Sequence, residues 1–408
     1  MTLPERHFGR FARLAAAVVA VIAGIGLAAP GAAQTRFYVD AVNGSDENGG
    51  RSEDRAWRSL EKVNAAELRP GDTVLFRRGG TWNGGIVLRS SGRPGKPITF
   101  DAYGAGAKPI LTRGRNGFDG GGQSHIVVRN FEIRTVTGGG IVSTGSNDWV
   151  IEHVTIDGSG LRHDGKNREF AGVQWWHGRG LTIANSVLRN VRGDGIWAWE
   201  VHDLRILGNR IEVCLGANSD NVHLYAPRNY EVRGNFFSME GETESGKGNF
   251  HSQAGDGGLI VDNTFRGGNY GVGNTDSNLV VRANRFINHD KAKWSGAIVV
   301  SEVYDVINNS YVGNTIVGAN MGIYIFQDRY MRENFTIRDN VFERIRRAAV
   351  VIESPISGEF SGNALRASPG AQILQTTGRL VRGQKWVERS NIVKAHEGAA
   401  RTPSGHAR

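Results

Sequence analysis

Two histidines, His223 and His251, each sit in a short run of alternating apolar and polar residues, DNVHLYA and GNFHSQA. Strand side chains alternate between faces, so each histidine points away from the apolar residue before it, Val222 or Phe250. Tyr225 follows His223 by two residues and shares its face. Arg192 and Lys247 stand just ahead of similar runs. Histidine, tyrosine and a cation are what β-elimination from a uronic sugar requires. A cation neutralises the carboxylate, a base takes the C5 proton, and an acid protonates the leaving oxygen. These residue types supply all of it with no metal or other cofactor. A second set suits other chemistry. Asp194 and Asp220 each lie two residues before an apolar position, Ile196 or Val222, and Glu200, Asp276 and Glu302 each lie four residues after one. Carboxylates stacked about 5 Å apart could be the pair of a glycoside hydrolase. They could equally bind Ca²⁺, or simply make corner turns.

The run DGIWAWE puts Trp197 and Trp199 on one strand face and Ile196 and Ala198 on the other. Aligned runs settle which face is inside. One column reads Ile141, Val173, Ile196, Val222, Phe250, Val272, Ile298, Ile323 and Val350, all apolar, so it faces a core. The next column, with Gln174, Trp197, His223 and His251, is mixed, and so is the one with Trp176, Trp199, Tyr225 and Gln253. Both are expected to face outward. Trp176, Trp199 and Tyr225 are expected to stack on successive coils. Aromatic faces beside polar groups suit pyranose rings, so Trp176, Trp197, Trp199, Gln174, Gln253 and Glu200 are expected to line a sugar groove.

What positions these columns is a repeat. A motif of apolar residues around an asparagine recurs at Asn130, Asn185, Asn209, Asn235, Asn263, Asn284, Asn314, Asn340 and Asn363, with His153 in one place, at intervals of 21 to 32 residues. Insertions at corners explain the uneven interval. Each coil holds several short strands and no helix. A parallel β-helix solenoid is expected, with the asparagines forming a structural ladder at one bend. Glycine, 57 of 408 residues, suits many tight corners.

These repeats, together with FYVDAVNGSDENGG and PGDTVLFRRGGTWNGGIVLRSSGRPGKPITFDAYGAGAKPIL, resemble the right-handed parallel β-helix proteins of the pectate lyase-like superfamily, including exported alginate and chondroitin lyases. The resemblance runs from about Thr35 to Ala367. It implies fold strongly and chemistry weakly. SDNVH only faintly resembles the polygalacturonase set and the DPHD motif of alginate epimerases is absent, so no catalytic residue carries over.

The N-terminus reads as an export signal, residues 1–33. Arg6, Arg10 and Arg13 precede an apolar run from Leu14 to about Ala29, followed by small residues. Removing it lowers the formal charge from +9 to +7, which suits an acidic polysaccharide. The basic residues are scattered, which argues against nucleic acid, and no stable membrane insertion is expected after cleavage. Cys214 is the sole cysteine, so no internal disulfide forms, and it is read as a buried apolar residue. Residues 34–70 are read as a strand and a cap helix over 56–68, and 71–367 as the β-helix. Residues 368–408 are read as a C-terminal cover, with QKWVERSNIV as a last strand or cover, and a disordered tail. The expected whole is an exported, periplasmic or secreted monomer that cleaves an acidic polysaccharide. Elimination by His223 and His251 is the first reading. Hydrolysis by carboxylates among Asp194, Asp220, Glu200 and Asp276 is the second, and a non-catalytic exopolysaccharide-binding or secretion protein the third.

Overall fold

The computed structural model describes residues 34–160, 170–212, 214, 219–241, 248–290, 294–301, 304–326, 330–376 and 386–394. The expected export segment and the tail after Lys394 lie outside them. Among the described residues no helix is long and apolar enough to cross a membrane.

Each strand pairs in parallel with its counterpart one coil on, giving a solenoid of about eleven turns. Three strands per coil build three ladders. One coil runs Ile196–His202, Arg205–Leu207 and Arg210–Glu212; the next runs Val222–Tyr225, Arg228–Arg233 and Phe236–Met239. The ladder through Ile196–His202 is the site sheet. Its register is the one the aligned runs anticipate: Ile196 opposes Val222, Trp197 opposes His223, and Trp199 opposes Tyr225. The apolar column from Ile141 to Val350 is fully buried. Burying each such side chain contributes roughly 1.5–3 kcal/mol. On the third ladder, Phe237, Phe265 and Phe286 stack with centroids 5.0 Å apart, the spacing of the coils themselves.

The asparagine ladder forms at the bend between the second and third ladders, but it starts later than the repeat suggests. From Asn209 to Asn391, each Nδ2 donates to the Oδ1 of the next coil's asparagine at 2.9–3.1 Å. Each Oδ1 also accepts a backbone N–H of the preceding coil, as in Asn235 N to Asn263 Oδ1 at 2.8 Å. Asn130, His153 and Asn185 are one residue out of this column. Ser186, not Asn185, opposes Asn209, because Val187 pairs with Arg210. Asn130, His153 and Asn185 instead occupy the left-handed corner, with φ of 64°, 53° and 49°, in line with Gly208 and Gly234. Asparagine tolerates both environments, which is why the two columns look alike in sequence.

The helix expected over residues 56–68 is one turn only, Leu60–Asn64. Trp57 is held extended instead, donating its N–H to Tyr38 O and accepting from Asp40 N, both at 2.8 Å. Ser59 then caps the turn by accepting from Lys62 N. At the far end the coils continue past residue 367. Trp386–Arg389 and Ile392–Lys394 pair with Gly358–Ser361 and Ala364–Arg366, so QKWVERSNIV does supply last strands.

Candidate active site

On the site sheet Ile196 and Ala198 are buried, while Trp197, Trp199, Trp176 and Tyr225 are half-buried on the outer face. Trp199 stacks on Tyr225, centroids 4.1 Å apart. Trp176 does not continue that stack. It meets Trp197 edge-on at 5.3 Å. Trp176 also borders an open groove of about 470 Å³ lined by Asp119, Val142, Thr144 and Phe170. Gln253 is half-buried beside Tyr225 in register. The Tyr225 hydroxyl lies 3.4 Å from that of Tyr304. Beyond the histidines the outer column turns apolar. Val299, Tyr324 and Val351 are buried in a second, smaller cluster with Met321 and Ala348, packed by Tyr270 and Phe326.

His223 and His251 stack on adjacent coils, centroids 5.0 Å apart and 27° from parallel. His223 is almost buried, and the His251 side chain is 18% exposed. Behind them lie the two aspartates, both 1% exposed. His223 Nδ1 is 3.6 Å from Asp194 Oδ2, and His251 Nδ1 is 3.5 Å from Asp220 Oδ2. The remaining oxygens hold the backbone. Asp194 Oδ1 accepts Asp220 N–H at 2.8 Å, and Asp220 Oδ1 accepts Gly248 N–H at 2.9 Å. The corner-turn role and a role toward the histidines thus belong to the same two residues. Asp194 Oδ2 has no hydrogen-bond partner. Asp220, His223 and His251 offer one ligand atom each within 4.8 Å of one another.

Tyr270 completes the cluster, and the sequence reading missed it. Its hydroxyl donates to Asp220 Oδ1 at 2.8 Å, and its ring meets His251 edge-on at 5.8 Å. Tyr270 follows Asp194, Asp220 and Gly248 in one column, two residues before the core position. A Cβ on Gly248 would lie 1.9 Å from the Tyr270 ring. The glycine is the gap through which the tyrosine reaches past one coil to the next, and a glycine followed by an aromatic in that column was the available signal.

Other anticipated residues stand elsewhere. Lys247 and Glu302 lie outside the described residues. Arg192 is exposed in the corner before the site strand. Gln174 also lines the groove beside Trp176, although it is 2% exposed and its Oε1 accepts Ala171 N–H. Glu200 sits in a left-handed corner and pairs with His177 at 3.1 Å. Asp276 faces the interior, not the groove. It accepts Tyr230 Oη at 2.6 Å and Gly255 N–H at 2.7 Å, and burial raises its pKa. A glycosidase pair that includes Asp276 is therefore excluded by position. Cys214 is buried beside Val191 and Met239, as read.

Residues 154–343 match a family described as periplasmic copper-binding protein, NosD. A segment of 83 residues is 40% identical to lacto-N-biosidase of Bifidobacterium longum; it is 19% of this chain and 5% of that protein, so the chain covers only a small part of that relative. The fold is similar to the lacto-N-biosidase of Eubacterium ramulus, family GH136, with TM-score 0.56 and 14% identity over 89% of this chain and 68% of that one. It is also similar to the PL6 alginate lyase AlyGC, with TM-score 0.59 and 17% identity over 88% of this chain and 52% of that one. At these identities the likeness is one of fold, and it bears out the β-helix resemblance.

Proposed function

We propose that the chain is an exported enzyme that cleaves an acidic, uronate-containing polysaccharide by β-elimination, with His223 and His251 exchanging the protons. The observation that carries this reading is the stacked histidine pair, backed by buried aspartates and flanked by Trp197, Trp199 and Tyr225 on one outer face. A buried aspartate 3.5–3.6 Å from each Nδ1 favours the ring orientation that leaves Nε2, across the ring, to exchange a proton. The aromatic faces suit the apolar sides of sugar rings. Residues 1–33 read as an export signal, and the partly matching family is described as periplasmic. Enzymes among the similar proteins act on saccharides by both elimination and hydrolysis. Hydrolysis is the second reading, favoured by the 40%-identical segment of lacto-N-biosidase. Burial of Asp194 and Asp220 behind the histidines weighs against those carboxylates reaching a glycosidic bond directly.

Mature protein, residues 34–408, incubated with a panel of acidic polysaccharides tests the reading. Ultraviolet absorbance from a C4–C5 double bond, rising together with reducing ends, is expected. His251→Ala is expected to slow that rise by about 10²–10⁴-fold. Reducing ends without absorbance would replace elimination with hydrolysis. Binding with no product at any enzyme concentration would replace both with a saccharide-holding protein.

A further inference from the structure

The outer face of the site sheet is open at one end and filled at the other. Toward the N-terminal coils, Val142, Thr144, Trp176 and the exposed Arg115 line the groove of about 470 Å³. The floor continues over Trp197 to His251, both half-buried. Past His251 the face fills. The next position in register is Gly273, and the Tyr270 ring stands over it, 3.0 Å from where a Cβ would lie. The same column then reads Val299, Tyr324 and Val351, at most 6% exposed. Val299 is two coils beyond His251, roughly 10 Å along the axis.

The filling is tied down. Arg347 lies across it, donating Nε–H to Gln375 Oε1 at 3.0 Å and pairing with Glu353 at 3.4 Å. Glu353 in turn accepts Tyr324 Oη at 2.8 Å. A close-packed cluster of this kind does not part for a sliding polymer. The side is closed as well. Tyr304 follows the strand Gly296–Val300, three coils on from Val222–Tyr225, yet its hydroxyl lies 3.4 Å from that of Tyr225. The tyrosine pair therefore spans the two coils between. Arg332, fully buried, fixes that corner by donating to Tyr304 O at 2.6 Å and Ser301 O at 2.9 Å.

We infer that the groove is blind and that the enzyme works from a polymer end. The terminal part of the acidic polysaccharide seats between the histidine pair and the wall that Tyr270 and Val299 begin. The rest of the polymer leaves over Trp197 and Trp176 toward Arg115, a cation suited to its carboxylates. This rests on the reading that this face cleaves an acidic polysaccharide, and it adds where along the polymer the cut falls. Each cut breaks one C4–O bond, forms one C4–C5 double bond by loss of the C5 proton, and gives one proton to the departing oxygen.

Size-fractionated alginate, polygalacturonate and hyaluronan, offered to mature protein, test the blind end. One short oligosaccharide is expected from the earliest time points, with viscosity falling slowly. At equal polymer mass below saturation, doubling the polymer length should halve the rate, because it halves the number of ends. Mixed product lengths at early times, with a steep fall in viscosity, would overturn the blind groove and leave elimination standing. If no fraction is cleaved, the elimination reading falls, and calorimetry with the same fractions tests the groove by binding alone. The number of protein molecules bound per polymer should then be constant with length. A number rising in proportion to length would overturn the inference. Neither product nor binding with any fraction would overturn both.

Discussion

The asparagine bend and the aspartate–histidine row are both polar ladders, built by stacking like residues on successive coils and burying them. They differ in closure. Along the asparagine bend each amide gives and accepts at ordinary distances. Asn284, for example, donates to Asn314 Oδ1 at 3.1 Å and to Ile260 O at 2.9 Å, and accepts from Asn263 N and Nδ2. In the aspartate–histidine row the cross-contacts stop at 3.5–3.6 Å, and Asp194 Oδ2 has no hydrogen-bond partner. A ladder that satisfies itself is scaffold. One whose cross-contacts stop short of hydrogen-bond length leaves its side chains less tied to the scaffold.

The largest effect on stability should come from the closed ladder. Asn284→Ala strands two donors on Asn263 and the carbonyls of Ile260 and Arg282. A loss of roughly 3–5 kcal/mol is expected from the denaturant midpoint. A loss below about 1 kcal/mol would mean that water repairs the ladder and that closure is not what distinguishes the two.

Acid sensitivity should come next. His289 is fully buried, donates Nε2–H to Phe265 O at 3.3 Å, and has its pKa pulled from 6.5 to about 4 by burial. Its neutral form is the folded one. Its contribution is therefore complete above pH about 6.5 and is lost as pH falls toward 4, by on the order of 3 kcal/mol. His289→Gln should flatten that slope in a pH series of melts. A slope unchanged in His289→Gln would place the acid-sensitive group elsewhere.

The smallest effect should be at the aromatic flank. Trp199→Ala removes one partner of the 4.1 Å stack with Tyr225. It should raise KM on a cleaved polysaccharide about 10-fold with kcat nearly unchanged. A fall in kcat instead would place Trp199 in the reacting geometry rather than in a subsite.

Much of this was legible in the sequence. The apolar column and its register follow from period-two alternation repeated at coil spacing, so which face of DGIWAWE is inside could be read without coordinates. The histidine stack followed from the same register. What could not be read was whatever depends on corners. Asn185 resembles Asn209, yet a one-residue offset sends it to a left-handed turn. Asp194 and Asp276 are both aspartates beside core positions, yet one lies behind the histidines and the other bonds Tyr230 inside the coil. Tyr270 was missed because its partner sits two coils away, past Gly248.

The corners also divide the labour of change over evolutionary time. At the asparagine bend two residues separate the strands coil after coil, as between Ala184 and Val187, Leu207 and Arg210, or Arg282 and Arg285. An insertion there would throw the left-handed column and the ladder out of phase together. The corner that leads into the site sheet varies instead, from the short link between Gly267 and Tyr270 to the long one between Asp157 and Val173. A lineage can therefore lengthen, shorten or exchange the rim of the groove while the spool beneath it keeps its pitch. Grafting corner segments between such proteins is the natural route to reshaping the groove while the coils stay as they are.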